Sequence, residues 1–485
     1  MRFPVHCRVR LWPALLLALS ACGGGGAESG GPATIRRTLA YVVSVCHEDA
    51  AGASMRQSLQ VRRGDQAPVT VAEIPTVYFP ALGLCPLYGQ ARFGLTSTLV
   101  GALQRIGLSP DGSGVVFEIT YDYSILLPFG FQSPLRPDQE GIFYVRADGS
   151  GLRRLGDASR VPDAAISGLP SASGGFSAYL APFYAFSPDG RLIAFTDRGP
   201  GPEGDAIQIV TLDLTTGART QVTRLPSMAP PDVRGLPTPA TVPGWFSDNE
   251  TIVFWSRTNP DGLNPNQEFP GFSIKTDGTN LKLFLPSVFP GAPVDPNFRI
   301  TPGASTAALL YITGIVPVNP LPAFSYTTVE EVFSPNAEYG LQLTNFRRVD
   351  TATPVLSIDR QRVFFAASAN PLGINPTENC QLFSIDTLGG DLRQLTHFRA
   401  ADHSEIGCLP IPGPGCYVFA AGQDPETESL LLMSTCDPLG TNPNGLQIFV
   451  MRPDGTGLRQ LTDTRGMVTA PDGSADVELP GPEFF

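Results

Sequence analysis

Charged residues are scarce in this chain of 485 residues: 16 % of positions are Asp, Glu, Lys or Arg, and acids outnumber bases by 45 to 33. Histidine occurs 4 times and tryptophan 3 times. The net charge of −12 disfavours a nucleic-acid partner, because binding to phosphates needs a basic surface. We therefore expect no nucleic acid among the partners.

The sequence also lacks the motifs of several enzyme classes. It contains no Gly-x-Ser-x-Gly nucleophile elbow, which an α/β-hydrolase would need. It contains no P-loop, no Cys-x-x-Cys and no Gly-x-Gly-x-x-Gly between a strand and a helix. We expect no cofactor.

Glycine and proline, by contrast, are abundant, with 51 and 48 residues. Helices tolerate neither residue in quantity, whereas a chain of short strands needs many turns. Hydrophobic residues make up 42 % of the chain, enough for a large core. The composition therefore favours an all-β fold.

Residues 1–22 are organised as an export signal. Three arginines precede an apolar run at 11–19 that is too short to span a bilayer. The ending Leu19-Ser-Ala-Cys22 resembles a bacterial lipobox, which implies cleavage before Cys22 and acylation of that cysteine. The alternative is an ordinary secretory signal that contains a cysteine by chance.

The sequence thus divides into a signal peptide at 1–21, a Gly-rich tether at 22–38 and a globular part at 39–485. Position 23 is Gly and not Asp, which by the same resemblance favours the outer membrane. We expect a lipid-anchored protein of the bacterial cell envelope, on the periplasmic side or the surface. The lipid anchor is the only membrane contact expected.

Two patterns recur along the globular part. One is a strand, an Asp-Gly-like turn and a run that ends in Leu-Thr, found at 143–155, 383–396 and 449–462, with looser copies at 207–223, 272–285 and 332–344. The other is a pair of strands around Ser-Pro-Asp-Gly, found at 108–117 and 186–195, with weaker copies at 246–254, 300–312, 356–365 and 417–433. Together they predict six units of four strands each, A to D.

The two ends of the chain supply a seventh unit. Residues 40–46, 57–61 and 68–74 read as strands B, C and D, and 467–473 reads as a strand A. We predict that 467–472 pairs with 40–46, so that both termini share one sheet. The predicted fold is a seven-bladed β-propeller closed by this shared blade, with six blades as the alternative.

The Ser-Pro-Asp-Gly runs and the run Asp454-Gly-Thr-Gly-Leu-Arg-Gln-Leu-Thr462 resemble the propeller repeats of TolB and its WD-repeat-like relatives. The resemblance covers about 100–465 and implies the repeat, not an activity. TolB has six blades behind a separate N-terminal α/β domain, and this sequence shows seven units and no such domain. The Tol partners are therefore not carried over.

The two edges of such blades differ in sequence. The A–B and C–D connections are tight turns, whose aspartates Asp111, Asp148, Asp189 and Asp454 are expected to bond their own backbone rather than calcium. The B–C loops and D–A crossovers are long. They comprise 121–141, 257–269, 314–328, 369–379 and 435–445, and 75–104, 156–183, 224–243 and 397–415.

The long loops are rich in aromatic residues, which are enriched at binding surfaces. They are equally able to pack the loops onto the blades. The candidate binding residues are Tyr78, Phe79, Tyr88, Tyr121, Tyr123, Phe129, Phe131, Tyr179, Phe183, Phe324 and Tyr326.

Six cysteines remain after removal of Cys7 and lipidation of Cys22, and all map to the long-loop face. Export predicts disulfides, and the shortest closure is Cys408–Cys416. Cys46–Cys85 and Cys380–Cys436 complete the predicted set, with buried free cysteines as the alternative.

One stretch combines residue types that bind metals: His397, Asp402, His403 and Glu405. The same residues are ordinary loop composition, so the metal site is a weak candidate.

The sequence therefore predicts a tethered, non-catalytic binding module that recognises a protein or glycan through its long loops. The alternative is a lyase or glycosidase acting in the funnel of that face. An enzyme of this kind needs paired carboxylates or a His–metal site converging there.

Overall fold

The computed structural model describes residues 31–49, 52–79, 103–119, 135–159, 185–226, 240–246, 248–256, 258–265, 270–285, 298–300, 309–311, 313–317, 328–332, 343–346, 351–398, 408, 416, 418–441, 447–469 and 475–484. These residues form strands and turns, with a 3-10 turn at Pro260–Gly262. No helix among them is long and apolar enough to cross a membrane. One compact unit, Pro32–Phe485, contains every sheet.

The chain begins with three long strands, β1 (Thr38–Asp49), β2 (Gly52–Arg63) and β3 (Val69–Phe79). Five four-stranded antiparallel sheets follow. Sheet I is β4 (Leu103–Leu108), β5 (Gly114–Ile119), β6 (Gly141–Arg146) and β7 (Arg153–Gly156). Sheet II is β8 (Ala185–Phe186), β9 (Leu192–Gly201), β10 (Gly204–Asp213) and β11 (Arg219–Gln221). Sheet III is β12 (Ala240–Trp245), β13 (Thr251–Ser256), β14 (Gly271–Lys275) and β15 (Lys282–Leu285).

Two small antiparallel pairs come next: β16 (Phe298–Ile300) with β17 (Leu309–Tyr311), and β18 (Thr313–Pro317) with β19 (Thr328–Val332). Sheet IV is β20 (Thr351–Leu356), β21 (Arg362–Ala367), β22 (Gln381–Asp386) and β23 (Arg393–Gln394). Sheet V is β24 (Val418–Gln423), β25 (Leu430–Ser434), β26 (Gln447–Met451) and β27 (Arg459–Gln460). In all five sheets the strands follow in chain order, as the two repeated patterns predict.

The last strands, β28 (Gly466–Thr469) and β29 (Ala475–Phe484), join β1–β3 in a five-stranded terminal sheet of order β28-β29-β1-β2-β3. The predicted pairing of 467–472 with 40–46 is wrong, because β28 pairs with β29 and β29 pairs with β1. The sequence analysis missed β29 because Pro480 and Pro482 resemble loop signals. A register shift between Tyr41 and Val43 accommodates this Pro-Gly-Pro stretch.

The second and third strands of the four-stranded sheets are largely buried. Phenylalanines face each other across the second and third strands, with stacked rings at Phe117–Phe143, Phe254–Phe272 and Phe365–Phe383, 5.4 to 5.9 Å apart. Such pairs add about 0.5–1.5 kcal/mol beyond area burial. The core therefore lies within and between neighbouring sheets.

Successive sheets contact one another through their strands: β4 with β8, β8 with β12, β12 with β16, β19 with β20, β20 with β24, β26 with β29 and β29 with β4. The Asp-Gly turns add a second contact. A Cβ built on Gly217, Gly278 or Gly455 would lie 2.7 to 3.2 Å from a backbone oxygen of the preceding sheet. The turn glycine is therefore the point at which each of these hairpins touches its neighbour.

Candidate functional site

In each four-stranded sheet, the connections lie at two opposite ends of the strands. The turns between the first and second strands and between the third and fourth strands lie at one end, which we call the turn face. The connection between the second and third strands lies at the other end, which we call the loop face. Hydrogen bonds join turn faces of consecutive sheets, from Asp189 N to Asn249 Oδ1 (2.8 Å) and from Ile358 N to Gln423 Oε1 (2.8 Å).

On the turn face, the aspartates are occupied by their own turns. Asp111 Oδ1 accepts hydrogen bonds from Ser109 Oγ at 2.6 Å and from the Ser113 N–H at 3.0 Å. Asp189 and Asp454 bond in the same way, to Ser187 and to Thr456, and Asp148 bonds the Ser150 N–H. The expectation that these four residues form turns is confirmed.

These hydrogen bonds also lower the pKa of the turn carboxyls. Burial raises the pKa of Asp111, but the hydrogen bonds from Ser109 and Ser113 outweigh it and the net pKa is below the usual value. The Thr456 hydroxyl and N–H lower the pKa of Asp454. The turn aspartates are therefore charged at neutral pH and hydrogen-bonded within their own turns, which suits a structural role.

Three second–third strand loops share a motif that the sequence analysis missed, Asn/Asp-Pro-x-Gly-x-Asn-Pro. The copies occupy 259–265, 370–376 and 437–443, on the loop faces of sheets III, IV and V. The glycines at the fourth position have positive φ angles of 75°, 73° and 66°. A side chain there would be strained, which explains the invariant glycine among the copies.

Buried asparagines hold two of these loops. Asn375 is 4 % exposed, and its Nδ2 donates to the carbonyls of Ala369 (2.9 Å) and Asn379 (2.8 Å). Asn264, also 4 % exposed, donates to the Thr258 carbonyl at 3.0 Å. Each buried hydrogen bond contributes about 1 kcal/mol. These bonds hold the loops at 259–265 and 370–376 in place, and we call the three copies of the motif the platforms.

The platforms carry exposed aliphatic side chains. Leu263, Leu372, Ile374 and Leu439 are 36 to 53 % exposed. All four lie at the third or fifth position of the motif. An aliphatic side chain at the third or fifth position is therefore exposed in all three copies.

Two hairpins extend the loop face further. Strands β9 and β10 have 10 residues each, and β1 and β2 have 12 each, against 5 or 6 in the second and third strands of the other sheets. Both hairpins extend on the loop-face side, where Gly201 is opposite Gly204 and Asp49 is opposite Gly52. At about 3.3 Å per residue, four or more additional residues lengthen each of these strands by more than about 13 Å.

Disulfides tie two of the loop-face regions. The structure pairs Cys380 with Cys408 and Cys416 with Cys436, so the predicted pairs Cys408–Cys416 and Cys380–Cys436 are wrong. The strand register explains the second bond: Val418 faces Ser434 across β24–β25, and two residues further out Cys416 faces Cys436. Reading this hairpin register from the sequence would have found the pair that loop length did not.

A hydrogen-bond clasp that the sequence analysis also missed recurs in sheets II, IV and V. A buried glutamine in the third strand accepts a hydrogen bond from a threonine hydroxyl 15 residues later, in the pairs Gln208–Thr223, Gln381–Thr396 and Gln447–Thr462. The distances are 2.6 to 2.9 Å. The Thr of the repeated Leu-Thr ending therefore fixes the outer strand to the sheet.

The weak metal candidate gains nothing from the structure. His397 is exposed, and its Nδ1 lies 3.2 Å from Gln394 Nε2. Asp402, His403 and Glu405 lie outside the described residues. Within the part of the chain that is described, no group of three His, Cys, Asp or Glu residues could hold a metal ion.

Few of the other predicted residues fall in described segments. Tyr78 and Phe79 end strand β3, opposite Ser54 and Ala53 of β2, and Cys46 lies in β1 opposite Met55. Outside the described residues are Cys22, Cys85, Tyr88, Tyr121, Tyr123, Phe129, Phe131, Tyr179, Phe183, Phe324 and Tyr326.

Among the described residues, grooves are found between neighbouring sheets. One, of about 570 Å³, opens on the turn faces of sheets I and II and is lined by Arg146, Arg153 and Arg191 among others. The other, of about 460 Å³, lies between the terminal sheet and sheet V. It is lined by Tyr41, whose pKa is raised to about 12 by burial, with nearby Arg62 opposing the shift.

The chain is distantly similar in structure to solved β-propellers. TolB from Acinetobacter baumannii aligns with 92 % of this chain and 82 % of its own, at 13 % identity and a TM-score of 0.35. The propeller domain of the Trilobed protease from Pyrococcus furiosus aligns with 75 % of this chain and 85 % of its own, at 10 % identity and 0.39. No protein-family model and no curated protein matches the chain.

Proposed function

We propose that the protein is an exported, lipid-anchored, seven-bladed β-propeller that binds a protein or glycan of the cell envelope through its loop face, without catalysing a reaction. The observation that carries this proposal is the repeated loop platform. Three sheets carry the same Asn/Asp-Pro loop with exposed aliphatic side chains on it, and buried asparagines hold two of these loops.

The seven-bladed ring is supported by the contacts between sheets. Five sheets, the two small strand pairs together and the terminal sheet give seven units in chain order. Strand contacts link each unit to the next, and β29 and β1 of the terminal sheet contact β4 of the first unit. Pairing of β1 with β29 would then close the ring and leave no open end.

The entry of the chain into the sheets supports an orientation for the loop face. Residues 33–37, which we call the strap, run along the turn face: the Arg36 N–H donates to Asp424 Oδ2 at 2.6 Å and the Ala33 N–H to the Gly457 carbonyl at 2.8 Å. The strap is the last part of the predicted tether, 22–38. A lipid at Cys22 would therefore hold the turn face toward the membrane and present the loop face outward.

The anchor is tested by metabolic labelling with a radioactive fatty acid. The wild-type chain should incorporate label and partition with membranes, and Cys22→Ser should lose both. A wild-type chain that stays unlabelled would refute the lipid anchor.

The binding face is tested with photo-crosslinkers placed on the platforms of the full-length protein in cells. Crosslinks from the loop face should be lost when Leu263, Leu372, Ile374 and Leu439 are changed to Ser. A control variant changes the exposed turn-face residues Ile358 and Leu388 to Ser, and should leave the crosslinks intact. Equal loss in both variants would contradict the proposal.

A further inference from the structure

The groove between sheets I and II is unusual for a chain with an excess of acids. Its volume is about 570 Å³, and its lining contains three guanidinium groups, Arg146, Arg153 and Arg191. The only carboxylates in the lining are Asp111 and Asp189. Each of these already accepts two or more hydrogen bonds within its own turn.

The arginines of this groove also differ from corresponding arginines in the chain. Arg219, Arg393 and Arg459, which begin the outer strands of other sheets as Arg153 does, each form an ion pair with an aspartate. Among the described residues, no carboxylate forms an ion pair with Arg146 or Arg153. Arg191 reaches Asp213 only at 3.8 Å.

Arg153 is fixed in place by neutral partners. Its guanidinium lies 5.4 Å from the centre of the Tyr144 ring and donates to the Leu214 carbonyl of sheet II. Its positive charge in the groove is therefore not balanced by an ion pair with a carboxylate. A guanidinium group in a concave site that forms no ion pair with a carboxylate is suited to an anionic oxygen group, which it can bind with two parallel hydrogen bonds.

The position of the groove indicates which kind of anionic partner can reach it. It opens on the turn face, and its wall residue Pro110 accepts a hydrogen bond from Arg37 of the strap at 2.5 Å. The ten tether residues from Cys22 to Gly31 span at most about 34 Å. Leu152, 54 % exposed, follows the lining residue Gly151 and adds an apolar contact.

We propose that this groove binds the phosphate of a lipid headgroup in the membrane that carries the anchor. The choice of a lipid rests on the proposed anchor, whereas the affinity for phosphate rests on the groove alone. A tether that keeps headgroups nearby makes a weak single contact effective, because binding becomes intramolecular.

The test uses the full-length chain with Cys22→Ser, so that no acyl chain contributes to binding. Sedimentation with vesicles compares pure phosphatidylcholine with a mixture containing roughly 30 % phosphatidylglycerol. We expect binding to the anionic vesicles, and a loss of about tenfold in affinity for Arg146→Gln with Arg191→Gln. The matched control, Arg360→Gln with Arg452→Gln, removes the same charge from turns of sheets IV and V and should retain binding.

Inorganic phosphate, followed by a thermal shift, distinguishes the source of the group. Binding of phosphate without binding of vesicles would assign the groove to a free anion and overturn the headgroup proposal. Equal weakening by both double variants, or no vesicle binding by the parent chain, would also overturn it. Labelling of Cys22 is measured separately, so failure of the anchor and failure of the groove give different results.

Discussion

Single residues in this protein often serve the contact between sheets, and Gly455 is the clearest case. Its φ of 89° disfavours any side chain, and a Cβ would lie 2.7 Å from the Leu395 carbonyl oxygen of sheet IV. The Asp-Gly dipeptide predicted the turn from sequence. The neighbour against which the glycine packs is set by the arrangement of sheets, which no local pattern contains.

We expect Gly455→Ala to lower the free energy of unfolding by roughly 3 kcal/mol, from backbone strain and overpacking together. Gly440→Ala is the control, because Gly440 also has a positive φ, of 66°, but has open space around it. That variant should cost about 1 kcal/mol. Equal effects in urea denaturation would show that the contact with sheet IV contributes nothing.

The turn carboxylates make the free energy of unfolding depend on pH. The N–H groups of Thr216 and Thr215 lower the pKa of Asp213 in the folded chain. A carboxyl whose pKa is lowered by folding stabilises the folded chain at pH values above its pKa in the unfolded chain, about 3.9. This contribution is lost as the pH falls through the pKa of the folded chain. Asp213→Asn should therefore reduce stability at pH 7, and the difference from wild type should shrink below pH ~4.

Unfolding curves measured from pH 7 downward check this expectation. Glu203→Gln is a suitable control, because Glu203 is an exposed residue at the tip of the β9–β10 hairpin. A difference between Asp213→Asn and wild type that grows toward low pH would contradict the sign.

At the scale of elements, the sequence predicts the hairpins of the repeats, but it does not predict the strand β29 or the structure of the long loops. Hairpins around Ser-Pro-Asp-Gly and Asp-Gly form where the repeats predict them, because turn residues and alternating apolar residues act over a few positions. The strand β29 contains Pro-Gly-Pro, and it was missed because only its partner β1 makes it a strand. The loop platforms depend on buried asparagines, which composition alone presents as polar loop residues.

The hairpin β24–β25 gives a test of the cysteine pairing. Peptide mass spectrometry without reduction should find Cys416 joined to Cys436 and Cys380 joined to Cys408. Replacing Cys416 and Cys436 by Ser should cost about 3 kcal/mol, since the bond closes a loop of 20 residues. A peptide joining Cys408 to Cys416 would contradict the register.

At the scale of the whole molecule, the terminal sheet joins the two ends of the chain. Strand β29 covers the edge of β1 over most of its length, from Ala40 opposite Phe484 to Glu48 opposite Ala475. Without β29, β1 would expose unpaired N–H and C=O groups. The overall repeat was predictable from the sequence, whereas the strand order in this sheet depends on residues more than 400 positions apart.

Removal of residues 475–485 should lower the midpoint of thermal unfolding by more than 10 °C, because several kcal/mol of strand pairing is lost. The truncated protein should also associate through the open edge, which light scattering would detect. Removal of Phe485 alone leaves β29 whole and is the control. A truncated chain with unchanged stability would show that β29 does not hold the sheet.

The strap also sets an order of events during synthesis. Its partners Asp424 and Gly457 follow it by 388 and more residues, so they do not exist while the N-terminal end is being made. Residues 33–37 therefore cannot form these contacts until nearly the whole chain has been made. The strap can therefore dock only after both sheet I and sheet V have formed, because it contacts both.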